Sequence, residues 1–541
     1  MNREPSTGTK ETEAGAPGAA SVDKSRIAIG WVVAGICLLA YLATGQSLPG
    51  NDATAHVHLV PRLLAHGTIY FTARDNPKMF HFAATANDSR QARIRDWNFE
   101  FQGKPAREAF DRGDIRVTRP LYYLVPTRHQ GRYTNTFGLG AGLFALPVMG
   151  LASLATNLES NVELMWLLAK LAAALSVAGT VLFLFLAAMR QLGVRSAVVV
   201  ALAYGLGTCA FSISSQALWQ HGPCEFFVAM GAYYLLTKQA KAADFICGFG
   251  FAMAVLCRPT AGVVLACVGA HLLFSDRRRF LRFALGALPV VTLLIGYSQY
   301  TFGSLLAFGE MGVGENIALA KTGNRDMWQT PLHVGLAGVL LSPARGLFVY
   351  SPIALFSLWG AWRAFRDSVW QDLRPLVVAV VLQVLLVAKW FDWWGGWCFG
   401  YRTIVDIAIL LSFLAFPVVQ AVNLRPWLRA VFAALFAYSV GVQVVGAYAY
   451  DLVGWNSRMV WQVVTPDETE LITFGEKASA ERFVREQGGM IHPVAMDIDN
   501  PKYRGRLWSL VDSPLIHYLA NFSDARAMRQ NVIVRFLRDD G

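Results

Sequence analysis

The chain has 541 residues, of which 54% are hydrophobic and only 16% are charged. A soluble protein of ordinary composition carries about 25% charged residues, so this composition indicates a polytopic membrane protein and argues against a soluble enzyme. The formal net charge is +11, but it does not predict a nucleic-acid partner. The basic residues fall mainly in short clusters between apolar runs, which is the pattern that orients membrane helices.

The first 24 residues are rich in Ser, Thr, Gly, Ala and Glu and show no apolar periodicity. We predict that residues 1–24 form a disordered cytoplasmic tail. Residues 25–450 are then expected to form a transmembrane domain. Its first apolar run, 27–44, follows Lys24 and Arg26 and is long enough to span a bilayer.

Residues 45–136 are polar, aromatic and charged, and this stretch is too long to be a tight connection. We therefore predict a long, partly folded first outer loop. Within it, residues 57–66 alternate apolar and polar side chains in a short amphipathic pattern. Such a segment is expected to lie flat at the membrane interface.

Residues 137–155 are apolar but rich in glycine and interrupted by Pro147. All the basic clusters can lie in the cytoplasm only if this stretch does not cross, so we predict a re-entrant or surface-lying segment. With the first helix, about eleven spans of roughly 20 residues result. After the first, they are expected near 162–189, 196–214, 220–237, 243–257, 260–274, 283–301, 346–362, 375–391, 403–422 and 430–449.

The predicted fold is thus all-α and polytopic, with the N-terminus in the cytoplasm. The last stretch, 451–541, has the composition of a soluble protein with strand-like and helical pieces, so we predict a small outer segment of α/β or irregular structure. The seven cysteines show no CxxC or Cys/His spacing, and no phosphate-binding or dinucleotide motif occurs. We predict no cofactor and no metal site, and metal dependence is left open.

Asp52 lies just after the first predicted span, where the outer loop begins. A carboxylate near an apolar surface can have a raised pKa and act as a general base. The plainer interpretation is a helix cap or a loop acid. His56, His58 and Arg62 follow at near-helical intervals, so we predict a catalytic Asp52 beside three substrate-binding residues.

The stretch 390–402 contains four tryptophans within eight residues at the end of a predicted span. An interfacial aromatic belt is one explanation. Aromatic rings can also stack on sugars, and an arginine offers a fork that suits phosphate. We therefore predict ligand contacts from Trp394, Trp397, Tyr401 and Arg402.

Three further basic residues fall on the predicted outer face. His221 lies in a polar turn, Arg258 precedes Pro259, and Arg345 lies in an apolar stretch broken by Pro and Gly. Broken helices often line cavities, so we predict that all three bind substrate. A helix-capping histidine and arginines that reach from helix ends to the interface are the alternatives.

Several of these motifs follow one another in a definite order over roughly residues 27–450. They are Asn51-Asp52, Leu63-Leu64-Ala65-His66-Gly67-Thr68-Ile69-Tyr70, Gly131-Arg132-Tyr133, Trp219-Gln220-His221-Gly222, Arg345-Gly346-Leu347-Phe348, Trp394-Gly395-Gly396-Trp397 and Tyr401-Arg402. In this order they resemble the GT-C superfamily of membrane glycosyltransferases. The likeness is to its bacterial branch, which is related to protein mannosyltransferases and lipid A aminoarabinose transferases.

The resemblance implies an inverting enzyme of the bacterial inner membrane, with its C-terminus in the periplasm. It would move a sugar from a polyprenyl-phosphate carrier to a hydroxyl of a glycan, lipid or protein on the outer face. Asp52 would be the general base. The cations that stabilise charge on the leaving phosphate would be Arg402, Arg258, Arg345 and His221.

Many relatives carry paired acids in this loop, whereas Ala53 and Thr54 follow Asp52 here. The loop acids that could replace the second carboxylate are Asp96, Asp111 and Asp114. The competing hypotheses are a transporter or flippase of a lipid-linked sugar and a non-catalytic protein that binds lipid carriers. A transporter would show polar residues near the membrane midplane and internal symmetry, so the outward clustering of Asp, His, Arg and Trp favours the enzyme.

Overall fold

The structure is a computed structural model that describes residues 24–45, 47–48, 50–83, 92–94, 96–238, 241–466 and 471–540. The predicted disordered tail therefore lies almost wholly outside the described residues. The helices up to the middle of the chain are α1 (Lys24–Leu42), α2 (Asn51–His66), α3 (Ala106–Arg112), α4 (Gly140–Phe144), α5 (Leu146–Ser153), α6 (Val162–Leu192), α7 (Val194–Gly207), α8 (His221–Thr237), α9 (Lys241–Cys257), α10 (Gly262–Ser275) and α11 (Arg277–Phe302).

The remaining helices continue the bundle and then form the C-terminal segment. They are α12 (Gly309–Thr322), α13 (Leu332–Leu341), α14 (Leu347–Tyr350), α15 (Leu355–Arg366), α16 (Arg374–Lys389), α17 (Ile407–Leu414), α18 (Phe416–Leu424), α19 (Pro426–Ala449), α20 (Lys477–Gln487), α21 (Pro514–Ala520) and α22 (Phe522–Asp540).

The strands occur in two places, the first outer loop and the C-terminal segment. They are β1 (Phe80–Ala83), β2 (Ala92–Arg93), β3 (Glu100–Phe101), β4 (Lys104–Pro105), β5 (Arg116–Pro120), β6 (Leu124–Pro126), β7 (Tyr133–Asn135), β8 (Ser457–Val464), β9 (Leu471–Phe474) and β10 (Met490–Asp497). The strands pair antiparallel as β2-β1-β5, β3-β4, β6-β7 and β10-β8-β9.

Long apolar helices make this chain a multi-pass membrane protein. Among the described residues, five helices are long and apolar enough to cross a bilayer. They are Lys24–Leu42, Val162–Leu192, Arg277–Phe302, Ser368–Lys389 and Pro426–Ala449. Shorter apolar helices accompany them, and the total of eleven spans stays a prediction.

Three parts of the bundle differ in detail from the continuous spans expected from sequence. Residues 346–362 are not one helix, because Gly346 and Pro352 interrupt the chain and leave α14 with only four residues before α15. Residues 403–422 divide into α17 and α18, with Pro417 in the first turn of α18. The stretch 137–155 divides into α4 and α5, of five and eight residues, and its re-entrant or surface-lying position stays a prediction.

Small residues let the helices approach closely. The helix α6 is the most buried candidate span, with 67% of its apolar window inside the protein, and α1, α7 and α8 pack around it. Helices α9 and α11 touch through two glycines: a Cβ atom at Gly248 would lie 1.9 Å from the carbonyl oxygen of Phe283, and one at Gly286 would lie 2.0 Å from that of Phe245. Such close backbone contact is typical of helix pairs in membranes.

The first outer loop folds around its own small core, which includes Phe71, Phe80, Phe82 and Leu124. Its amphipathic helix, α2, begins earlier than the pattern at 57–66 suggested. Asp52 therefore lies in the first turn of α2. This short shift fixes the carboxylate at the end of a rigid helix.

The C-terminal segment combines strands β8–β10 with α20 and then places α21 and α22 against the bundle. Arg529 Nη1 on α22 donates to the carbonyl oxygen of Tyr450, just beyond α19, at 2.9 Å. The ring of Phe536 packs edge-on against Trp166 near the start of α6, with centroids 4.9 Å apart. The end of the chain thus lies across the ends of candidate spans.

The glycine contact between α9 and α11 is open to a direct test. We expect Gly286→Ala to lower the free energy of unfolding by about 1–3 kcal/mol, because the added methyl group would overlap a backbone oxygen. Gly296→Ala on the same helix is the matched control, since none of the described residues lies within 4 Å of a Cβ atom there. Equal melting temperatures for the two purified variants would contradict the close approach.

Candidate active site

Asp52 meets two side chains that are distant in sequence. Its Oδ2 accepts a hydrogen bond from Arg402 Nη1 at 2.7 Å, and its Oδ1 accepts one from the hydroxyl group of Tyr122. The side chains of Asp52 and Arg402 are 22% and 19% exposed. The first turn of α2, the first outer loop and the tryptophan-rich loop therefore converge on one carboxylate.

The pKa of Asp52 is lowered, so the expectation of a raised pKa was wrong. Burial by itself raises the pKa of Asp52, but the positive charge of Arg402 and the hydrogen bonds from Tyr122 and Arg402 outweigh it. The net pKa lies below the ordinary value, so the carboxylate is ionised at neutral pH. The sequence offered no way to know which cation would face this acid.

Arg402 is itself held in place by the loop that carries it. Its Nη2 donates to the carbonyl oxygen of Gly395 at 2.9 Å, and its guanidinium carbon lies 5.7 Å from the centre of the Trp219 ring. Gly395 and Gly396 have φ angles of +73° and +61°, which side chains other than glycine rarely adopt. The paired glycines thus turn the loop so that Gly395 meets the arginine.

A second charged cluster brings together two of the predicted residues, His221 and Arg258. Arg258 Nη1 donates to Asp406 Oδ2, and His221 Nδ1 lies 3.0 Å from Asp406 Oδ1. Arg258 Nη2 also donates to the carbonyl oxygen of Thr403 at 3.0 Å. Sequence reasoning missed Asp406, although an acid inside the predicted span 403–422 is an available signal, because ionisable residues at membrane depth are costly.

A second carboxylate near Asp52 comes from α12, whose first turn contains Glu310. Glu310 Oε1 accepts a hydrogen bond from Gln220 Nε2 at 3.3 Å. Burial raises the pKa of Glu310, and the negative charges of Asp52 and Asp406 raise it further against the opposing effect of Arg258. Glu310 was missed because it lies in a stretch that sequence reasoning treated only as a connection.

The three loop acids predicted as second carboxylates have other partners. Asp111 pairs with Arg74 at 3.0 Å, Asp114 pairs with Arg112 at 3.2 Å, and Asp96 accepts from the backbone of Asn98 at 2.8 Å. None of these contacts involves Asp52, and a role for these acids as the second carboxylate stays a prediction.

His56 lies one helical turn after Asp52 and is buried. Asn135 donates its amide N–H to His56 Nδ1 at 2.8 Å, and its carbonyl oxygen is occupied by the backbone N–H of Phe137. This arrangement places the ring proton on Nε2. Burial lowers the pKa of His56 to about 3, although the charge of Asp52 opposes the shift, so the ring is neutral at pH 7.

Three buried polar atoms around Asp52 have no hydrogen-bond partner among the described residues. They are His56 Nε2, Trp219 Nε1 and Gln220 Oε1. Trp219 lies under Arg402, and Gln220 contacts Glu310. Buried polar groups are nearly always paired, so these atoms indicate a place where a ligand completes the hydrogen bonding.

His58 and Arg62 lie farther along α2. Arg62 donates through Nε to the carbonyl oxygen of Tyr70 and through Nη2 to Asp75 Oδ2, the latter at 2.8 Å. These contacts join α2 to the folded part of the loop. His58 is buried on the same helix, and a direct substrate role for either residue stays a prediction.

Arg345 is almost fully buried, and its guanidinium group donates four hydrogen bonds to the protein. Three carbonyl oxygens accept from it, those of Ala344, Trp394 and Gly396, at 2.9–3.1 Å. Asn456 Oδ1 accepts at 2.9 Å. The geometry thus makes Arg345 a support for the tryptophan-rich loop, and it is omitted from the binding set proposed below.

The aromatic residues predicted as ligand contacts are also held by the protein. Trp394 Nε1 donates to Asp499 Oδ1 at 3.1 Å, and Trp397 Nε1 donates to Asp497 Oδ1 at 3.0 Å. Tyr401 is buried, and its hydroxyl group lies 2.9 Å from Ser351 Oγ. Both tryptophans are thus anchored to the C-terminal segment.

Lys321 links three segments at this anchor. Its Nζ donates to Asp392 Oδ2 at 2.6 Å and to Asp499 Oδ1 at 2.9 Å. Arg504 covers the Trp394 ring, with its guanidinium carbon 4.5 Å from the ring centre. The C-terminal segment therefore braces the loop that positions Arg402.

A small apolar pocket of about 40 Å³ adjoins Tyr401 and is lined by residues that include Val200, Phe356 and Leu411. Its volume is far below the roughly 300–1,000 Å³ of ordinary ligand sites. Among the described residues, no group of three or more His, Cys, Asp and Glu side chains could hold a metal ion.

The brace around Lys321 generates a prediction about stability. We expect Asp499→Asn to lower the free energy of unfolding by about 1–3 kcal/mol, because Lys321 would keep only one charged partner in a poorly solvated place. The matched control is Glu481→Gln, which breaks the exposed pair between Lys477 and Glu481 and should cost less than about 0.5 kcal/mol. Thermal unfolding followed by tryptophan fluorescence would measure both, and equal losses would contradict the brace.

No protein-family model matches the sequence, and no curated protein is similar to it. A solved structure of ArnT from Cupriavidus metallidurans bound to undecaprenyl phosphate is similar, with 13% identity, 95% of this chain and 77% of that chain covered, and a TM-score of 0.42. The Archaeoglobus fulgidus oligosaccharyltransferase in complex with Zn and sulfate is similar at 13% identity over 77% of this chain and 53% of its own, with a TM-score of 0.46. At these scores the likeness transfers no residue's role.

Proposed function

We propose that this protein is a membrane glycosyltransferase that moves a sugar from a polyprenyl-phosphate carrier to a hydroxyl acceptor, with inversion. The observation that carries the proposal is the Asp52 carboxylate, which is paired with Arg402 and lies near buried polar atoms that have no partner among the described residues. A carboxylate and a phosphate-binding cation at one site are what such a transfer needs.

In this mechanism Asp52 accepts the proton of the acceptor hydroxyl as its oxygen attacks the anomeric carbon. The bond between that carbon and the phosphate oxygen breaks, and the lipid phosphate leaves as an anion. The low pKa of Asp52 makes it a weak base, so proton transfer occurs late, when the attacking oxygen has become acidic through its new bond. The leaving phosphate is already a stable anion and needs cations more than a strong acid.

Arg402 has two roles in this mechanism. In the free protein it neutralises Asp52. When a lipid phosphate arrives, its oxygens compete with Asp52 for the guanidinium fork. A looser hold on Asp52 raises the basicity of the carboxylate at the moment when the donor is in place, so donor binding itself prepares the base.

The remaining donors can position the sugar and the phosphate. The Nε2–H of neutral His56 and the Nε1–H of Trp219 are buried and unpaired within the described chain, so a sugar hydroxyl or phosphate oxygen can accept from them. Arg258 and His221 contribute a second cationic edge, partly neutralised by Asp406. Glu310 serves as the second carboxylate and orients the acceptor hydroxyl towards Asp52.

We place the protein in a bacterial inner membrane, with the N-terminus in the cytoplasm and the site on the periplasmic side. The basic clusters support this orientation, since Arg190 and Arg195 flank one end of the α6–α7 pair and such residues favour the cytoplasm. Asp52 lies at the other end of the bundle, just after α1. The acceptor can be a glycan, a lipid or a protein.

The first test of this proposal replaces the base. We expect Asp52→Asn to lower transfer from polyprenyl-phosphate sugars by about 10²–10⁴-fold, since a general base contributes that much. The matched control is Asp75→Asn, which breaks a similar Asp–Arg pair, with Arg62, in the same loop and should leave transfer nearly unchanged. Radiolabelled sugar transferred to a panel of acceptors by purified protein in lipid would be measured.

The outcomes of that comparison separate two failures. If the wild type neither releases nor transfers sugar from any polyprenyl-phosphate donor, the enzyme proposal fails and a flippase becomes the better hypothesis. If the wild type transfers sugar and Asp52→Asn does so equally fast, the enzyme stands and the general-base role of Asp52 fails.

The second test uses the pH dependence of transfer. Ionised Glu310 is lost as the pH falls through its raised pKa, above the ordinary value of 4.5, whereas ionised Asp52 is lost only below 3.8. As the pH is lowered, we therefore expect kcat/KM of the wild type to fall as Glu310 becomes protonated. In Glu310→Gln this decrease should be absent. An unchanged profile in Glu310→Gln would contradict the proposal that ionised Glu310 orients the acceptor hydroxyl.

A further inference from the structure

A group of apolar side chains on the C-terminal segment is exposed in the described part of the chain. We call it the apolar edge, and it consists of the exposed residues Trp508, Leu510, Val511, Ile516 and Leu519. Leu510 and Val511 are 75% and 85% exposed. Large exposed apolar patches mark surfaces that bind a partner or a membrane.

The apolar edge continues the surface of an apolar helix of the bundle. Ser342, which ends α13, donates its hydroxyl to the carbonyl oxygen of Leu507 at 2.6 Å. The preceding residue, Leu341, is exposed. The ring of Trp508 packs 5.6 Å from that of Trp393, so the edge begins directly where α13 meets the tryptophan-rich loop.

Helices α21 and α22 lie beside the ends of candidate spans. Tyr518 on α21 donates to Asp451, just beyond α19, at 2.9 Å. On α22, Arg529 contacts the carbonyl oxygen of Tyr450, and Phe536 packs on Trp166 near the start of α6. Since α6 and α19 are candidate spans, α21 and α22 lie where the bilayer core gives way to the headgroups.

We propose that the apolar edge inserts into the outer leaflet of the same bilayer and so anchors the C-terminal segment to the lipid. Two observations favour lipid over a protein partner. The apolar edge is continuous with the exposed surface of α13, and α21 lies beside the end of the candidate span α19. Interfacial segments bury their apolar face about 5–10 Å below the headgroups, and a tryptophan at the border suits this depth. The anchor is independent of the enzymatic activity proposed above.

The test measures the depth of the edge in a bilayer. In a background in which Cys267, the one cysteine that is not buried, is replaced by alanine, L510C and V511C are labelled separately with an environment-sensitive fluorophore. The full-length protein is placed in lipid nanodiscs that contain nitroxide lipids. The control is E486C, an exposed position on α20, which packs on the C-terminal strands.

We expect nitroxides high on the acyl chain to quench the labels at 510 and 511 severalfold more than the label at 486, and aqueous iodide to show the opposite order. Equal quenching at all three positions would overturn the proposal. Labels at 510 and 511 that are shielded from both iodide and lipid nitroxides would also overturn it, because a second copy or another protein would then cover the edge. Both side chains are exposed, so neither substitution should prevent folding.

Discussion

The ion pair between Asp52 and Arg402 joins two residues that are 350 positions apart, and much of the structure serves to make it. Each charge is poorly hydrated and is stable there mainly because the other is present. The pair depends on the carbonyl oxygen of Gly395, which is positioned by a glycine turn. That turn is held by Arg345 from one side and by the acids of the C-terminal segment from the other. A chain of contacts thus runs from the surface to the proposed base.

The site contains one more acidic side chain than arginine side chains. Two arginines, Arg258 and Arg402, face three carboxylates, those of Asp52, Asp406 and Glu310. Burial is the main cause of the raised pKa of Glu310, and the negative charges of Asp52 and Asp406 add to it. In the proposed mechanism, a bound lipid phosphate would bring further negative charge and would increase the proton affinity of both Glu310 and Asp52.

The sequence predicted the membrane bundle and the folded outer loop, and it singled out Asp52 and Arg402, which the structure pairs. Hydropathy and an acid at a span end are local signals. It missed Asp406 and Glu310, and it misjudged the direction in which the pKa of Asp52 moves. These depend on which helix ends meet, and that is a property of packing over hundreds of residues. Arg345 was predicted as a ligand contact for the same reason, because its charge is visible in the sequence and its hydrogen bonds to three backbone oxygens and to Asn456 are not.

The bracing of the tryptophan-rich loop by Asp497 and Asp499 also has a consequence for biosynthesis. Asp52 is made first, and Arg402 follows 350 residues later. Asp497 and Asp499, which hold the loop, follow later still. The site is therefore completed only after the C-terminal segment has left the ribosome and packed against the loop. A product that ends before Asp497 carries Asp52 and Arg402 without the frame that aligns them.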